Sequence, residues 1–168
     1  MDGIEADLPG VRDDLARYLA EIEHLDGDIR DVLDVLKARG MAENTLVVFM
    51  GDNGMALPHG KGALTDPGIA VPLIVRWPGR VAPGTLSKVP VISTDWPPTW
   101  LEVAGAPSAE PLDGVSLLPL LTGGALAERN LCWHFPHYSN QGSRPSGAIR
   151  NQRIMPIIQS RSPPSSSS

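Results

Sequence analysis

Cysteine, aromatic side chains, basic clusters and long apolar runs are all scarce in this sequence. The single cysteine, Cys132, excludes an internal disulfide bond, and we expect its side chain to be buried as a small apolar group. No apolar stretch is long enough to span a membrane, and the acidic first residues lack the apolar core of a signal peptide. A net charge of −5 without a basic cluster argues against a nucleic-acid partner.

The composition that remains is that of a globular protein. Of the 168 residues, 42% are hydrophobic and 20% are charged, and the chain is long enough for one domain with a sizeable core. After Arg150 the composition changes, and the sequence ends in a Ser- and Pro-rich segment. Such a segment buries too little apolar area to offset its ordering entropy, so we expect residues 151–168 to be disordered.

The first predicted element is a helix that runs roughly from Val11 to Arg39. Apolar residues recur there at three- and four-residue spacing, at Leu15, Tyr18, Leu19, Ile22, Leu25, Ile29, Val32, Leu33 and Leu36. Gly40 stands at the expected stop. We expect the apolar stripe to cover one face of a sheet, and we interpret the aspartates of the helix as a solvated acidic face.

A short apolar strand, Thr45 to Met50, leads directly into Asp52 and Asn53. The run is β-branched and without alternation, which predicts a strand buried on both faces. Side chains at the carboxyl end of such a strand lie where open α/β sheets bind ligands. A carboxylate and an amide supply hard oxygen donors suited to Ca²⁺ or Mg²⁺. Asp-Asn-Gly is also ordinary turn chemistry, and a plain turn is the alternative interpretation.

A Gly- and Pro-rich loop, residues 54–62, follows this strand and carries His59 and Lys61. The lysine can reach back to an anion held at a metal on Asp52 and Asn53, or it can be an exposed loop lysine. His59 either faces the same cleft or is an ordinary loop histidine.

The rest of the chain predicts short elements. Strands are expected at Val71 to Trp77, Val89 to Ser93 and Asn130 to Phe135. Pro97 and Pro98 open a helix that Gly105 closes, and a helical turn is expected at Ser116 to Leu121. Helix, short loop and strand at the start of the chain are half of a crossover unit, which indicates an α/β fold.

Five motifs occur in one order, and together they resemble the C-terminal part of the sulfatase family, within the alkaline-phosphatase-like superfamily. They are Thr45-Leu-Val-Val-Phe-Met-Gly-Asp-Asn-Gly54, His59-Gly-Lys-Gly62, Val71-Pro-Leu-Ile-Val-Arg-Trp-Pro-Gly79, Thr94-Asp-Trp-Pro-Pro-Thr99 and Asp113-Gly-Val-Ser-Leu117. The resemblance runs from about Pro9 to Arg150. The stretch from Trp133 to Gly142 further resembles arylsulfatase-A-like members.

The resemblance implies a partial alkaline-phosphatase-like sandwich and a place for each candidate residue. It implies that residues 1–124 are the C-terminal portion of a sulfatase catalytic domain and that 125–150 begin a small α+β subdomain. Sulfatases use a formylglycine nucleophile and Ca²⁺, and by resemblance Asp52 and Asn53 are metal ligands while Lys61 contacts the sulfate. His134 and His137 are expected near the substrate opening, and a zinc site there lacks further ligands at suitable spacing.

The departures from the family pattern bear on activity. The Cys/Ser-x-Pro-x-Arg motif that yields formylglycine is missing from this sequence; Ser143-Arg-Pro-Ser146 has the wrong order. We therefore expect no turnover by the isolated chain, whose parent would hydrolyse sulfated small molecules or polysaccharides and, like its relatives, be exported. An unprotected strand edge would also favour self-association and poor solubility. A phosphate-ester hydrolase of the same superfamily and a non-catalytic binding module are the alternatives.

Overall fold

The structure is a computed structural model that describes residues 8–55, 60–108, 110–138, 144–151 and 157–159. Its internal contacts divide the chain into two units, Met1–Thr45 and Leu46–Ser168. Among the described residues, no helix combines the length and the apolarity needed to cross a bilayer.

The first unit contains one long helix, α1 (Leu8–Ala38), and a 3₁₀ turn, Ala42–Asn44. The predicted helix is confirmed, with its start three residues earlier. Its end is a Schellman motif: the Gly40 amide donates to the Lys37 carbonyl (3.0 Å) and the Met41 amide donates to the Leu36 carbonyl (2.9 Å). Gly40 has φ +68°, a left-handed conformation that glycine adopts without steric cost.

Several apolar side chains of the α1 stripe are exposed. Leu15, Leu19, Ile22 and Leu25 are each between 44% and 55% exposed. The expected packing of this stripe on one face of a sheet stays a prediction.

The described residues of the second unit form two small sheets and three short α-helices. In chain order its elements are β1 (Val47–Met50), α2 (Asp66–Ile69), β2 (Leu73–Arg76), a 3₁₀ turn (Ser93–Asp95), α3 (Trp96–Ala104), α4 (Leu118–Leu121), β3 (Leu131–Phe135), β4 (Ser146–Arg150) and β5 (Ile157–Gln159). The sheets have the orders β1-β2 and β3-β4-β5, so the part of the chain that the structure describes is mixed α/β.

β1 and β2 pair antiparallel, with Val47 opposite Arg76 and Met50 opposite Leu73. The expected crossover unit would join β1, through α1, to a strand that precedes α1, so this antiparallel pair leaves that expectation untested. The expectation that β1 is buried on both faces is wrong, because each of its four residues is only half-buried. Since the described sheet has only two strands, each of them is an edge.

The second sheet is antiparallel throughout. Leu131 lies opposite Arg150 across β3 and β4, and Ala148 lies opposite Ile157 across β4 and β5. Residues 157–159 extend the sheet through backbone bonds. Residues 152–156 and 160–168 lie outside the described residues, and the disorder expected of the tail stays a prediction. Cys132 is exposed rather than buried, because the side chains of β3 alternate and Leu131 takes the buried side.

The predicted strand from Val89 to Ser93 does not form. The Ile92 amide donates to the Asp95 carboxylate (2.9 Å), and the Asp95 amide donates to the Ile92 carbonyl (2.9 Å). These reciprocal bonds close a tight turn in front of α3, so the Ile92 amide is not free for a strand ladder. α3 itself forms as predicted and ends at Gly105.

The Asp95 side chain is completely buried and joins three stretches of the second unit. One carboxylate oxygen accepts from Arg129 Nη1 (2.6 Å) and from the Val115 amide (3.1 Å), and the other accepts from Arg129 Nη2 and the Ile92 amide. The two guanidinium contacts make a bidentate ion pair, the strongest form of such a bond. The turn before α3, the loop before α4 and the chain before β3 are thereby held together.

The Thr99 hydroxyl continues this network into the core. It donates to the Asp95 backbone carbonyl and accepts from the Leu117 amide at 2.8 Å, and all three residues are buried. Trp96, Leu131 and Ala148 are the other buried apolar side chains. The described residues leave no buried side-chain nitrogen or oxygen without a hydrogen-bond partner.

The Asp95 network makes stability depend on acidity. Burial raises the pKa of Asp95, but the hydrogen bonds from Arg129, Ile92 and Val115 and the charge of Arg129 outweigh burial and lower it below its usual value. This stabilisation is present above the unfolded pKa of about 3.9 and is lost as the pH falls through the folded value.

We expect Asp95→Asn to lower the free energy of unfolding at about pH 6. Urea denaturation should show that the difference in this free energy between the variant and wild type becomes smaller below about pH 4. A difference that stays constant with pH would contradict the assignment.

Candidate metal and anion site

Asp52 and Asn53 lie in a bend directly after β1, at its carboxyl end. The Asp52 side chain is exposed and the Asn53 side chain is half-buried, so both oxygen donors are accessible. The predicted position at the end of the strand is confirmed. Their roles as metal ligands stay a prediction.

Three glycines fix the backbone immediately after this pair. The Gly54 amide donates to the Gly68 carbonyl (2.8 Å), and Gly54, Gly60 and Gly68 are all buried. A Cβ on Gly54 would lie 1.8 Å from the Pro67 carbonyl oxygen, and one on Gly68 would lie 2.0 Å from the Ala63 oxygen. Only glycine permits this close approach of backbone to backbone.

Lys61 is held next to the end of β1 by the same loop. The Gly60 and Lys61 amides both donate to the Met55 carbonyl, at 3.0 and 3.1 Å. Met55 comes two residues after Asn53, so the backbone of Lys61 lies close to the candidate metal ligands along this short path. The Lys61 side chain is exposed, and its ammonium group is accessible to an anion in solution.

An ion pair joins this loop to the second sheet. Arg150 on β4 donates from Nη1 to the Asp66 carboxylate at the start of α2 (2.8 Å). Nothing in the sequence indicates this contact, because the two residues are 84 positions apart. Sequence analysis therefore missed both residues of this ion pair.

The histidines do not gather at Asp52. His134 and His137 are exposed, and the His137 ring meets the edge of Phe135 with ring centroids 5.8 Å apart. His134 lies opposite Gly147 on the neighbouring strand. Their substrate-shaping role stays a prediction, and His59 lies outside the described residues.

Asp52 and Asn53 carry oxygen ligands of the type that Ca²⁺ binds, but two side chains supply fewer ligands than the ion takes. Ca²⁺ takes six to eight oxygen ligands, and carboxylate and amide oxygens are among its usual donors. Across residues 8–55, 60–108, 110–138, 144–151 and 157–159, no three His, Cys, Asp or Glu side chains come together as a metal-binding group. The described part of the chain thus fits two positions of a calcium site.

Gly54→Ala tests whether the glycine contacts hold this loop. Because the new methyl group would overlap the Pro67 carbonyl, we expect the free energy of unfolding to fall by about 1–3 kcal/mol or more. Gly27→Ala is the control: no atom lies within 4 Å of a Cβ there, and alanine in a helix should stabilise by about 0.5–1 kcal/mol. Thermal denaturation measures the stability of both variants. Equal stability would refute the close packing of Gly54 against Pro67.

Two family profiles match the sequence. The Sulfatase profile matches residues 3–106, and the profile for N-sulphoglucosamine sulphohydrolase, C-terminal, matches residues 59–158. The first match covers more than half of the chain. This chain belongs to the sulfatase family. The resemblance found in the sequence is confirmed, and members of this family typically use a metal ion.

Relatives of this sulfatase-family chain are identical to it at about a third of the aligned positions. A sulfatase and an ulvan-active sulfatase of Formosa agariphila are 34% and 33% identical, over 80% and 84% of this chain. Human arylsulfatase A is 32% identical over 70% of it. The chain spans only 29%, 26% and 25% of the length of these three relatives.

Solved structures that share part of its fold include two that are 27% identical to this chain. One is the structure of a protein in complex with its substrate, D-glucosamine-2-N,6-O-disulfate. It superposes on this chain with a TM-score of 0.73 at 27% identity, and the match covers 83% of this chain and 30% of that protein. A phosphonate monoester hydrolase from Silicibacter pomeroyi gives a TM-score of 0.66 at 27% identity, covering 80% of this chain and 30% of that one. The fold is therefore part of the sulfatase and phosphonate monoester hydrolase fold, and the predicted sandwich is confirmed only to that extent.

Proposed function

We propose that this chain supplies part of the active site of a sulfatase, a hydrolase of sulfate esters that uses a formylglycine nucleophile and Ca²⁺. The observation that carries the proposal is the loop after β1, in which the Gly60 and Lys61 amides both donate to the carbonyl of Met55, two residues after Asn53. Membership of the sulfatase family supports it. The isolated chain is expected to be inactive, because the nucleophile motif is absent from the sequence.

Each residue has a distinct chemical task in this proposal. Asp52 and Asn53 would hold Ca²⁺, which when bound supplies positive charge against the oxygens of the substrate. The Lys61 ammonium group would bind a sulfate oxygen and stabilise the negative charge that spreads over the group as the ester bond breaks. Lys61 would also assist departure of the alcohol.

The substrate class follows from the relatives only in outline. One is described as ulvan-active, and one matched structure holds a sulfated glucosamine. A sulfated sugar or polysaccharide is therefore the proposed substrate. Hydrolysis of a phosphate or phosphonate ester is the second candidate, supported by the likeness to the Silicibacter pomeroyi enzyme. Asn after Asp52, instead of a histidine, favours the single-metal sulfatase site.

Two hybrid enzymes distinguish the candidates. In one, the chain replaces the matching part of the ulvan-active sulfatase; in the other, it replaces the matching part of the phosphonate monoester hydrolase. We expect the first hybrid to release sulfate from ulvan and the second to be inactive on a phosphonate monoester. Activity of the second hybrid alone would favour the phosphonate alternative, and two inactive hybrids that fold would contradict an active-site role.

A further inference from the structure

The start of α2 packs against two points of the loop that carries Lys61. The Gly54 amide donates to the Gly68 carbonyl at 2.8 Å, which attaches α2 to the backbone just after the candidate metal ligands. A side chain on Gly60 would overlap the Pro67 carbonyl, so α2 also touches the residue directly before Lys61. The position of α2 therefore helps to determine the position of the Lys61 backbone.

The contact between α2 and Gly60 is made by backbone atoms. A side chain on Gly68 would overlap the carbonyl oxygens of Gly60 and Ala63, and the Ala63 amide donates to the Gly60 carbonyl at 3.0 Å. Gly60 and Gly68 are both buried. Because no flexible side chain lies between these two stretches of backbone, a shift of α2 cannot be absorbed by a change of rotamer and passes to Gly60.

An ion pair attaches α2 to the second sheet. Arg150 on β4 donates from Nη1 to the carboxylate of Asp66, the residue directly before Pro67, at 2.8 Å. The Arg150 side chain is 37% exposed and that of Asp66 is 64% exposed. A pair as exposed as this adds little to the stability of the whole fold, but its fixed length and direction favour one position of α2 over others.

We propose that Arg150 is a positioning residue for Lys61. Its ion pair with Asp66 holds α2 against Gly60, and the contact at Gly60 keeps the Lys61 backbone where its ammonium group meets the sulfate. Arg150 itself does not touch the sulfate. The inference rests on the proposed function for the consequence of this restraint, but not for the restraint itself.

Endoproteinase Lys-C measures the restraint in the full chain, without any substrate. The enzyme cuts after lysine, so the cuts after Lys61 and after Lys88 give separate products in one sample. Cleavage of a folded chain requires local opening, and its rate follows the population of the open form when opening is fast. Lys88, in the loop between β2 and α3, therefore serves as an internal reference for the loop of Lys61.

Breaking the ion pair should open the Lys61 loop selectively. We expect R150M and D66N each to raise the rate of cleavage after Lys61, relative to cleavage after Lys88, by about three- to fivefold, which is the range that an exposed pair can supply. Exchanging the two charges in D66R/R150D restores an ion pair between the same positions. This double variant should return the ratio to within about twofold of wild type.

Arg30→Met is the matched control. It removes a guanidinium group from another exposed ion pair, which Arg30 makes with Asp26 on α1 at 3.0 Å. The ratio of the two cleavage rates should not change in this variant. Equal ratios in wild type, R150M and D66N would overturn the proposal. Equal acceleration of both cuts would also overturn it, because that result reports opening of the whole fold and not of one loop.

The hybrid with the ulvan-active sulfatase tests the consequence for the site. We expect R150M to lower kcat for sulfate release by about three- to fivefold. R150K keeps a positive charge for a pair that uses one nitrogen, so it should keep kcat within about twofold of wild type. In a Lys61→Ala background R150M should change kcat less than about 1.5-fold, because the residue through which Arg150 acts has been removed. A purely structural role would slow both backgrounds equally, and that outcome would overturn the proposal.

The two measurements separate this inference from the proposed function. If R150M opens the loop to Lys-C while Lys61→Ala leaves sulfate release unchanged, the restraint stands and the sulfate contact of Lys61 is refuted. If Lys61→Ala lowers sulfate release while R150M changes neither the cleavage ratio nor kcat, the role of Lys61 stands and positioning by Arg150 is refuted.

Discussion

Replacing Arg129 with methionine is expected to lower the free energy of unfolding by about 3–5 kcal/mol. The guanidinium group makes a bidentate pair with Asp95, whose side chain is 0% exposed. Without Arg129 the carboxylate would stay buried with only the Ile92 and Val115 amides as charge-stabilising partners. Its desolvation would no longer be offset, which is the costly way to break a buried ion pair. Urea denaturation followed by tryptophan fluorescence measures the loss.

Arg150→Met provides a matched control for this experiment. It removes the same chemical group from an ion pair with Asp66, whose side chain is 64% exposed. Exposed pairs contribute about 0–1 kcal/mol, so this variant should stay close to wild type. If the two variants lose equal stability, Asp95 does not hold the second unit together in the way described.

Lys61→Ala is expected to lower kcat/KM for sulfate release by about 10²–10³-fold in the hybrid with the ulvan-active sulfatase. This is the usual effect of removing one preorganised group that stabilises charge in the transition state. Because Lys61 is exposed, the substitution removes the ammonium group and leaves the backbone bond from residue 61 to Met55 in place. Initial rates of sulfate release at several substrate concentrations give kcat and KM separately.

Lys88→Ala is the control for charge alone. Lys88 is also exposed, and it lies in the loop between β2 and α3. We expect this variant to keep kcat/KM within about twofold, since surface charge distant from a site acts mainly through screened, long-range attraction. A loss equal to that of Lys61→Ala would show a general charge effect and refute direct sulfate contact. Lys61→Arg, which keeps the charge with different geometry, should recover part of the rate.

Local patterns predicted the elements that have local causes. α1 follows from apolar periodicity and from Gly40, and its observed start differs by three residues from the prediction. α3 follows from Pro97, Pro98 and Gly105. The position of Asp52 and Asn53 after β1 follows from the short apolar run before them. In each case the deciding residues lie within a few positions of the element.

Features that depend on distant residues could not be predicted. β1 and β2 pair antiparallel, but two short apolar runs in a sequence do not indicate which strands pair or in which direction. The strand expected from Val89 to Ser93 was wrong because Asp95 takes the amide of Ile92, an effect that depends on a side chain outside the run. Asp95 and Arg129 are 34 positions apart, and nothing in either neighbourhood indicates that they meet.

The same limit explains the mixed outcome for the candidate site. The sequence pointed to Asp52, Asn53 and Lys61 through the family resemblance, and the loop geometry is compatible with a shared task for them. The glycine contacts that produce this geometry bring Gly54 against Pro67 and Gly68, which only a folded backbone reveals. Arg150 reaches the same loop from β4, far along the chain.

The exposed Cys132 gives this molecule a natural chemical handle. Since it is the single thiol of the chain and lies on β3, a maleimide dye would attach at one known place without any engineered substitution. Its position opposite Ile149 on β4 would make the fluorescence of that dye sensitive to separation of the two strands. The same thiol allows two molecules to become crosslinked in air, so a reductant belongs in every buffer used to determine the oligomeric state.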